Sequence, residues 1–337
     1  MIVYFFFKRL SNEQRNFLPI VVSNFLCYVL MRTEKNINFA RVFNTWFRPL
    51  LIQVFTKMTI GIIGLGLIGG SMAIDLRRNK FADKFLGCDS MDLNAMTAQR
   101  IGLVDEVMPY DELIKKSDLI LLSVPVSAAL RMLSDILDKI NDNQVVVDIC
   151  STKEKLNDSV HYHPRRKNYV ASHPMAGTEF SGPWAAIPNL FAGRAGIICN
   201  AEDSDPKAVE LVRSMYDSLN MRVIYMRAAH HDVHTAYVSH ISHIISFALA
   251  LTVLDKEKNE KNIFDLASGG FASTARLAKS NPEMWVPIFM QNKENVLSVL
   301  DSYMDKLQQF KNALEANDES RLKVLIDDAN RIKRILR

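Results

Sequence analysis

The chain is poor in cysteine, and its first 57 residues contain neither glycine nor aspartate. The four cysteines, Cys27, Cys88, Cys150 and Cys199, stand far apart and form no C-x-x-C pair. That argues against a disulfide scaffold or a zinc site and for a reducing, cytoplasmic compartment. With 48% hydrophobic and 23% charged residues the composition is that of an ordinary globular protein, and 337 residues suffice for two domains with real cores. The small basic excess is local. Residues 1–57 hold eight Lys or Arg against two Glu, a net of +6 where the whole chain carries +4, so the other 280 residues sum to −2. That body gives no reason to expect nucleic acid.

A long apolar run is also missing from the leader. Residues 16–31, NFLPIVVSNFLCYVLM, are interrupted by Pro19, Ser23 and Asn24. They fall short of the ~18 apolar residues that a span needs, and no A-x-A-like cleavage site follows. The leader reads as a membrane or signal segment, as a peripheral amphipathic anchor, or as upstream sequence ahead of a start at Met58. All 13 glycines lie in the body and a glycine-rich strand begins directly after Met58, which favours a start at Met58. No membrane is expected for 58–337.

From Thr59 the sequence TIGIIGLGLIGGSMAIDL gives a β-type run, then Gly64, Leu65, Gly66, Leu67, Ile68, Gly69, then a helical pattern through Met72, Ile74 and Leu76. This is G-x-G-x-x-G between strand and helix. Gly64 permits the tight turn, Gly66 lets backbone approach a pyrophosphate, and Gly69 lets the helix pack on the strand. A second strand, Lys84–Cys88, ends in Asp89, twenty residues after Gly69, where a carboxylate reaches the ribose hydroxyls or serves as a helix N-cap. No arginine follows in residues 90–94, which favours NAD over NADP. Further apolar runs at 118–125, 144–149, 195–200 and 222–226 alternate with helical patterns. The fold class expected is α/β: a Rossmann-type, doubly wound parallel sheet over 58–226, followed by an all-helical dimerisation domain over 227–337. Ser123 and Pro125, the stretch 150–153 and His173 then fall at carboxyl ends of strands, where such sheets bind ligands.

His173 precedes Pro174, which restricts it to extended backbone. Residues 228–256 read as one long periodic helix whose end, IISFALALTVL, suits burial between subunits. On it His240 and His243 share a face. His230 and His234 are four apart, but His231 stands where a metalloprotease helix needs glutamate, so no metal is expected. Arg276 follows a glycine turn at 269–270 and reads either as a surface ion-pair partner or as a buried carboxylate-binding fork.

The segments GLGLIGGS (64–71), CSTK (150–153), HPMAGTE (173–179), VSHISH (238–243) and GGFASTARLAKSNPEMW (269–285) together resemble the prephenate dehydrogenase family of tyrosine biosynthesis. The resemblance runs from about Met58 into the C-terminal helices. It implies an NAD-dependent oxidative decarboxylation of prephenate by a homodimer. His173 would accept the ring hydroxyl proton, and Ser151 would bond the same hydroxyl or orient His173. Arg276 would bind the ring carboxylate, and His243 the side-chain carboxylate or keto group. Thr178 and Glu179 would line the pocket, with His240 and Trp285 behind them or contributed across the dimer. Arogenate dehydrogenase is the nearest alternative. A β-hydroxy-acid dehydrogenase would call for a lysine where the first C-terminal helix has histidines, and an NAD-binding sensor would not need His173, Ser151 and Arg276 together.

Overall fold

The computed structural model describes residues 58–335 apart from 259 and 261; the readings of residues 1–57, and Cys27 with them, lie outside the described residues. The first half alternates β1 (Thr59–Ile63), α1 (Leu67–Arg78), β2 (Lys84–Cys88), α2 (Asp92–Arg100), β3 (Glu106–Val107), α3 (Tyr110–Lys116), β4 (Leu119–Leu122), α4 (Val126–Lys139) and β5 (Val145–Asp148). It continues through α5 (Glu154–Ser159), β6 (Tyr169–Pro174), β7 (Ala195–Cys199), α6 (Pro206–Ser218) and β8 (Arg222–Met226). The strands form one sheet in the order β3-β2-β1-β4-β5-β6-β7-β8. The order reverses between β1 and β4, which opens a crevice at their carboxyl ends.

Period-2 alternation explains the two cores. Ile60 and Ile62 of β1, with Leu119 and Leu121 of β4, join Met72, Leu76, Val212 and Met215 from α1 and α6 on one face. Ile63, Ile120 and Leu122 point the other way, to Leu113 of α3 and to Leu133 and Ile136 of α4. Both faces are covered, so the strands are apolar throughout instead of alternating with polar residues. The doubly wound sheet expected from the sequence is therefore present, with one correction.

β7 runs antiparallel to β6, with His173 opposite Ile197, whereas a parallel sheet was expected. The physical reason lies in residues 175–194, which carry only a single 3₁₀ turn at Pro183–Ala185. A parallel return needs a crossover to the far end of the sheet, usually by a helix. Without one, β7 starts at the rim where β6 stops. The α6 crossover then restores parallel pairing between β7 and β8. β3, two residues long, is too short to leave a periodic signal.

The rest is helical. α7 (Ala228–Thr235) passes through a π turn (Ala236–His240) into α8 (Ile241–Glu257); α9 (Gly269–Ala275), α10 (Pro282–Gln291), α11 (Lys293–Glu315) and α12 (Glu319–Ala329) follow. Ala228–Glu257 is long and apolar enough to cross a membrane by length and composition alone. Its first third is nevertheless built into the globule, with His231, Asp232 and Thr235 buried.

A buried ion pair ties β5 to β6. Asp148, the last residue of β5, accepts from Lys153 Nζ, with both side chains fully buried. It also accepts from the Tyr169 hydroxyl at 2.6 Å and the Cys150 amide at 2.9 Å. Lys153 Nζ donates a second bond, 2.7 Å, to the Ser172 carbonyl. Removing one partner of such a pair strands the other charge. Lys153→Met is expected to cost about 3–5 kcal/mol of unfolding free energy by urea denaturation. Adding Asp148→Asn to that variant should recover part of the loss, because no unpaired charge then remains.

Candidate active site

The glycine loop follows β1 at the crevice. Gly64 has φ +95°, and a Cβ there would sit 2.4 Å from the Ser123 carbonyl oxygen. A Cβ on Gly69 would meet the Gly64 carbonyl, also at 2.4 Å, so the helix can approach the strand only as glycine. Gly66 is different: none of the described residues lies within 4 Å of its Cβ position, which leaves room in front of the loop among them. Gly66 is also the N-cap of α1, with no side-chain cap and no acidic residue in the first turn, which contains Leu67 and Ile68. Uncapped N–H groups at a helix start favour a phosphate. Asp89 Oδ2 accepts from the Leu65 amide at 2.8 Å and Oδ1 from the Met91 amide at 2.9 Å. It thus braces the loop, and the N-cap of α2 is Met91 instead. Ser123 directly follows β4 beside Gly64, and Pro125 is the exposed N-cap of α4. These residues fit a dinucleotide.

Three strands from β1 along the same rim, β6 delivers His173, partly buried, to a second site. Its Nδ1 lies 2.8 Å from His231 Nε2, and His231 Nδ1 lies 2.7 Å from Asp232 Oδ1. Asp232 in turn accepts from the Lys153 amide at 2.8 Å and the Glu154 amide at 2.9 Å, the start of α5. The protons follow from the carboxylate outward. Asp232 only accepts, so His231 carries its proton on Nδ1 and offers a lone pair at Nε2. His173 must then donate from Nδ1, which leaves its Nε2 as an acceptor. Burial, with His231, Lys153 and His240 nearby, pushes the His173 imidazole well below its ordinary pKa. Burial also lowers His231, against an upward pull from Asp232. Both shifts favour the neutral pair, and a neutral imidazole whose Nε2 bonds none of the described residues can accept a proton.

The other residues singled out from the sequence fall into three groups. Ser151 follows β5, is partly buried and makes no side-chain hydrogen bond to the described residues; the orienting partner of His173 is His231. His240 and His243 gather around Trp285 of α10: His243 stacks on it at 3.4 Å between ring centroids, and His240 meets it edge-on at 6.0 Å. His243 Nδ1 lies 3.1 Å from the Ser239 carbonyl. Burial, with His231 and His243 nearby and against an upward pull from Asp232, brings the His240 pKa down to about 4. Thr178 and Glu179 sit in the loop after β6, where the Thr178 hydroxyl accepts from the Phe180 amide. Glu179 pairs with Arg276 at 3.1 Å. The reading of Arg276 as a buried fork is corrected: its side chain is 51% exposed, and its partner is a carboxylate of the chain itself. The segment that bears it, 262–279, lies almost wholly on the surface. His230 and His234 are exposed too, and among the described residues no group of three His, Cys, Asp or Glu could hold a metal.

His231 and Asp232 were not foreseen as site residues, nor were Lys153 and Asn292. The sequence held one signal: an His-His-Asp run at the start of a helix whose adjoining positions are apolar. Nothing in it showed that the second histidine, and not the first, turns inward.

Residues 72–225 match the family described as prephenate dehydrogenase, nucleotide-binding domain, and residues 227–327 the one described as prephenate dehydrogenase, dimerization domain. A prephenate dehydrogenase of Bacillus subtilis is 30% identical over 273 residues, covering 79% of this chain and 72% of that protein. The solved prephenate dehydrogenase of A. aeolicus, in complex with hydroxyphenyl propionate and NAD+, is 29% identical with a TM-score of 0.73, over 83% of this chain and 99% of that one. The Synechocystis arogenate dehydrogenase is 27% identical with a TM-score of 0.65, over 82% and 99%. With both halves of the described fold matched and the glycine loop and His173 on one rim, the chain belongs to the prephenate dehydrogenase family of oxidoreductases.

Proposed function

We propose that this chain is a cytoplasmic, NAD-dependent prephenate dehydrogenase acting as a homodimer, with 58–226 holding the dinucleotide and 227–337 closing over substrate. The observation that carries the reading is the His173–His231–Asp232 chain, which ends in a free acceptor nitrogen on the rim that bears the glycine loop. Gly64, Gly66, Leu67, Ile68 and Gly69 would hold the pyrophosphate, Asp89 the ribose, and Ser123 and Pro125 the opposite wall. Bound NAD+ supplies the hydride acceptor.

His173 Nε2 takes the proton of the ring hydroxyl as the carbinol hydrogen departs with its electron pair. The resulting ring ketone is conjugated to the carbon bearing the carboxylate. The C–CO₂ bond breaks, its electrons complete the aromatic ring, and the oxygen recovers its proton from His173. CO₂ and 4-hydroxyphenylpyruvate leave, with no net proton released. Ser151, whose hydroxyl bonds none of the described residues, would share the substrate hydroxyl. Arg276 would exchange Glu179 for the ring carboxylate, while Thr178 and Trp285 wall the pocket.

One contact favours a second reading, arogenate. A carbonyl only accepts, so the Ser239 oxygen fixes the His243 proton on Nδ1 and leaves a lone pair on Nε2. That lone pair can accept from an ammonium as it stands, whereas a pyruvyl oxygen requires His243 to take up a proton. Burial works against that protonation. Comparing NADH formation with prephenate and with arogenate separates the two. Preference for prephenate is expected; activity with arogenate alone would keep the mechanism and transfer the assignment.

The second copy has a surface to cover. In α8 only Ile241 and Ser246 are buried, and Leu251, Leu254 and, beyond the helix, Leu266 are exposed. Leu251→Glu combined with Leu254→Glu is expected to shift the sedimentation mass from dimer to monomer; an unchanged mass would place the interface elsewhere.

For the base itself, His173→Asn should lower kcat by ~10²-fold or more, with NAD+ affinity little changed. Because burial holds the His173 pKa below 6.5, kcat/KM should still be on its plateau at pH 6.5 and fall only at lower pH, as the acceptor nitrogen is protonated. An acid limb centred at or above 6.5 would remove His173 from the role.

A further inference from the structure

Asn292 lies at the joint between α10 and α11, is only 3% exposed, and touches both histidine-bearing stretches of the long helix. Its Nδ2 is 2.7 Å from the carbonyl oxygen of Asp232 and 3.1 Å from Nδ1 of His240, and its Oδ1 accepts from Asn295 at 2.8 Å. The orientation of this amide is decided by the carbonyl. A peptide oxygen has no proton to give, so the reversed amide would press two oxygens together at 2.7 Å inside the protein. The nitrogen must face Asp232. One amide hydrogen is then used there, and the other points at His240 Nδ1, which must accept it. A neutral imidazole that accepts at Nδ1 carries its own proton on Nε2.

We propose that Asn292 is a positioning residue that holds His240 as the Nε2–H tautomer, so that His240 offers the bound substrate a hydrogen-bond donor. This is the opposite polarity to His173, whose Nε2 is left as an acceptor by Asp232 through His231. Two facts support a free donor. Among the described residues no protein group bonds His240 Nε2, and the ring is held edge-on between Trp285 and Phe289. With its pKa near 4 the ring stays neutral through the physiological range, so the tautomer and not the charge fixes what it presents. The matching group on the ligand is a carbonyl or carboxylate oxygen. That this oxygen belongs to prephenate rests on the function proposed above; the tautomer does not, being a property of the free protein.

The test is long-range ¹H–¹⁵N correlation on the full chain labelled with ¹⁵N-histidine, the His240 signals being identified by their loss in His240→Gln. The expected spectrum shows Nε2 protonated and Nδ1 bearing a lone pair. In Asn292→Asp, where a carboxylate replaces the donor, the proton should move to Nδ1, and KM for prephenate should rise about tenfold, the scale of one hydrogen bond, with kcat changed much less. A wild-type proton on Nδ1 overturns the proposal, and this result needs no variant to fold. So does an Asn292→Asp protein that keeps the Nε2–H form and the KM of the wild type. If neither prephenate nor arogenate is turned over, the functional reading fails while the tautomer result still stands or falls by itself.

Discussion

The site depends on one buried carboxylate. Asp232 sits in the second turn of α7, yet its oxygens are spent on two amides at the start of α5 and on the imidazole next to it in sequence. Those amides belong to the first turn of a short helix at the carboxyl end of β5, where unpaired N–H groups and the helix dipole favour a negative charge. The helix that leads the C-terminal half is thereby bolted to the rim of the sheet by charge-assisted bonds, which are stronger than neutral ones. The same carboxylate fixes which nitrogen of His231 is protonated, and through it which nitrogen of His173 is not. Packing of the two halves and the polarity of the proposed base thus share one origin.

Lys153 completes that frame from beneath. Its amide goes to Asp232, while its ammonium goes to Asp148 and to the Ser172 carbonyl, one residue before His173. Backbone and side chain of a single residue therefore link α7, β5 and β6. Pairing two charges away from water costs roughly what it returns. The pair is better understood as setting the register of strand ends than as a source of stability. Its positive charge also acts with burial in keeping His173 unprotonated.

Much of this frame was legible and part was not, for separable reasons. The glycine loop, Asp89 and the apolar strands announce themselves because their constraints are local: a positive φ at Gly64, a Cβ that cannot fit at Gly69, a run buried on both faces. The reversal of β7 depends on what residues 175–194 fail to form, and absence of a crossover leaves no pattern. The His173–His231 contact joins residues 58 apart in sequence, and Asp232 reaches Lys153 across 79. Neither separation has a period to detect. Arg276 misled because its residue type suggests burial with an anion, whereas in the single chain its surroundings are solvent and Glu179. Its proposed substrate role therefore requires an exchange of partners.

The π turn at Ala236–His240 explains why His231, His240 and His243 do not follow simple helical spacing. In a regular helix the inward face marked by His231, Asp232 and Thr235 would continue near Ser239. One residue is inserted, and the buried position falls instead on His240, with Ser239 only partly covered. The insertion aims His240 at Asn292 and leaves the Ser239 carbonyl to meet His243. Such turns give up regular backbone bonding, so they persist where side-chain contacts compensate, often at functional sites. Here the compensation is a set of imidazoles each oriented by a group that can only donate or only accept. Asp232 makes His231 a donor at Nδ1, Ser239 does the same for His243, and Asn292 makes His240 an acceptor there. The helix thus trades uniform geometry for control over where protons reside, a control that spacing along the chain alone could not provide.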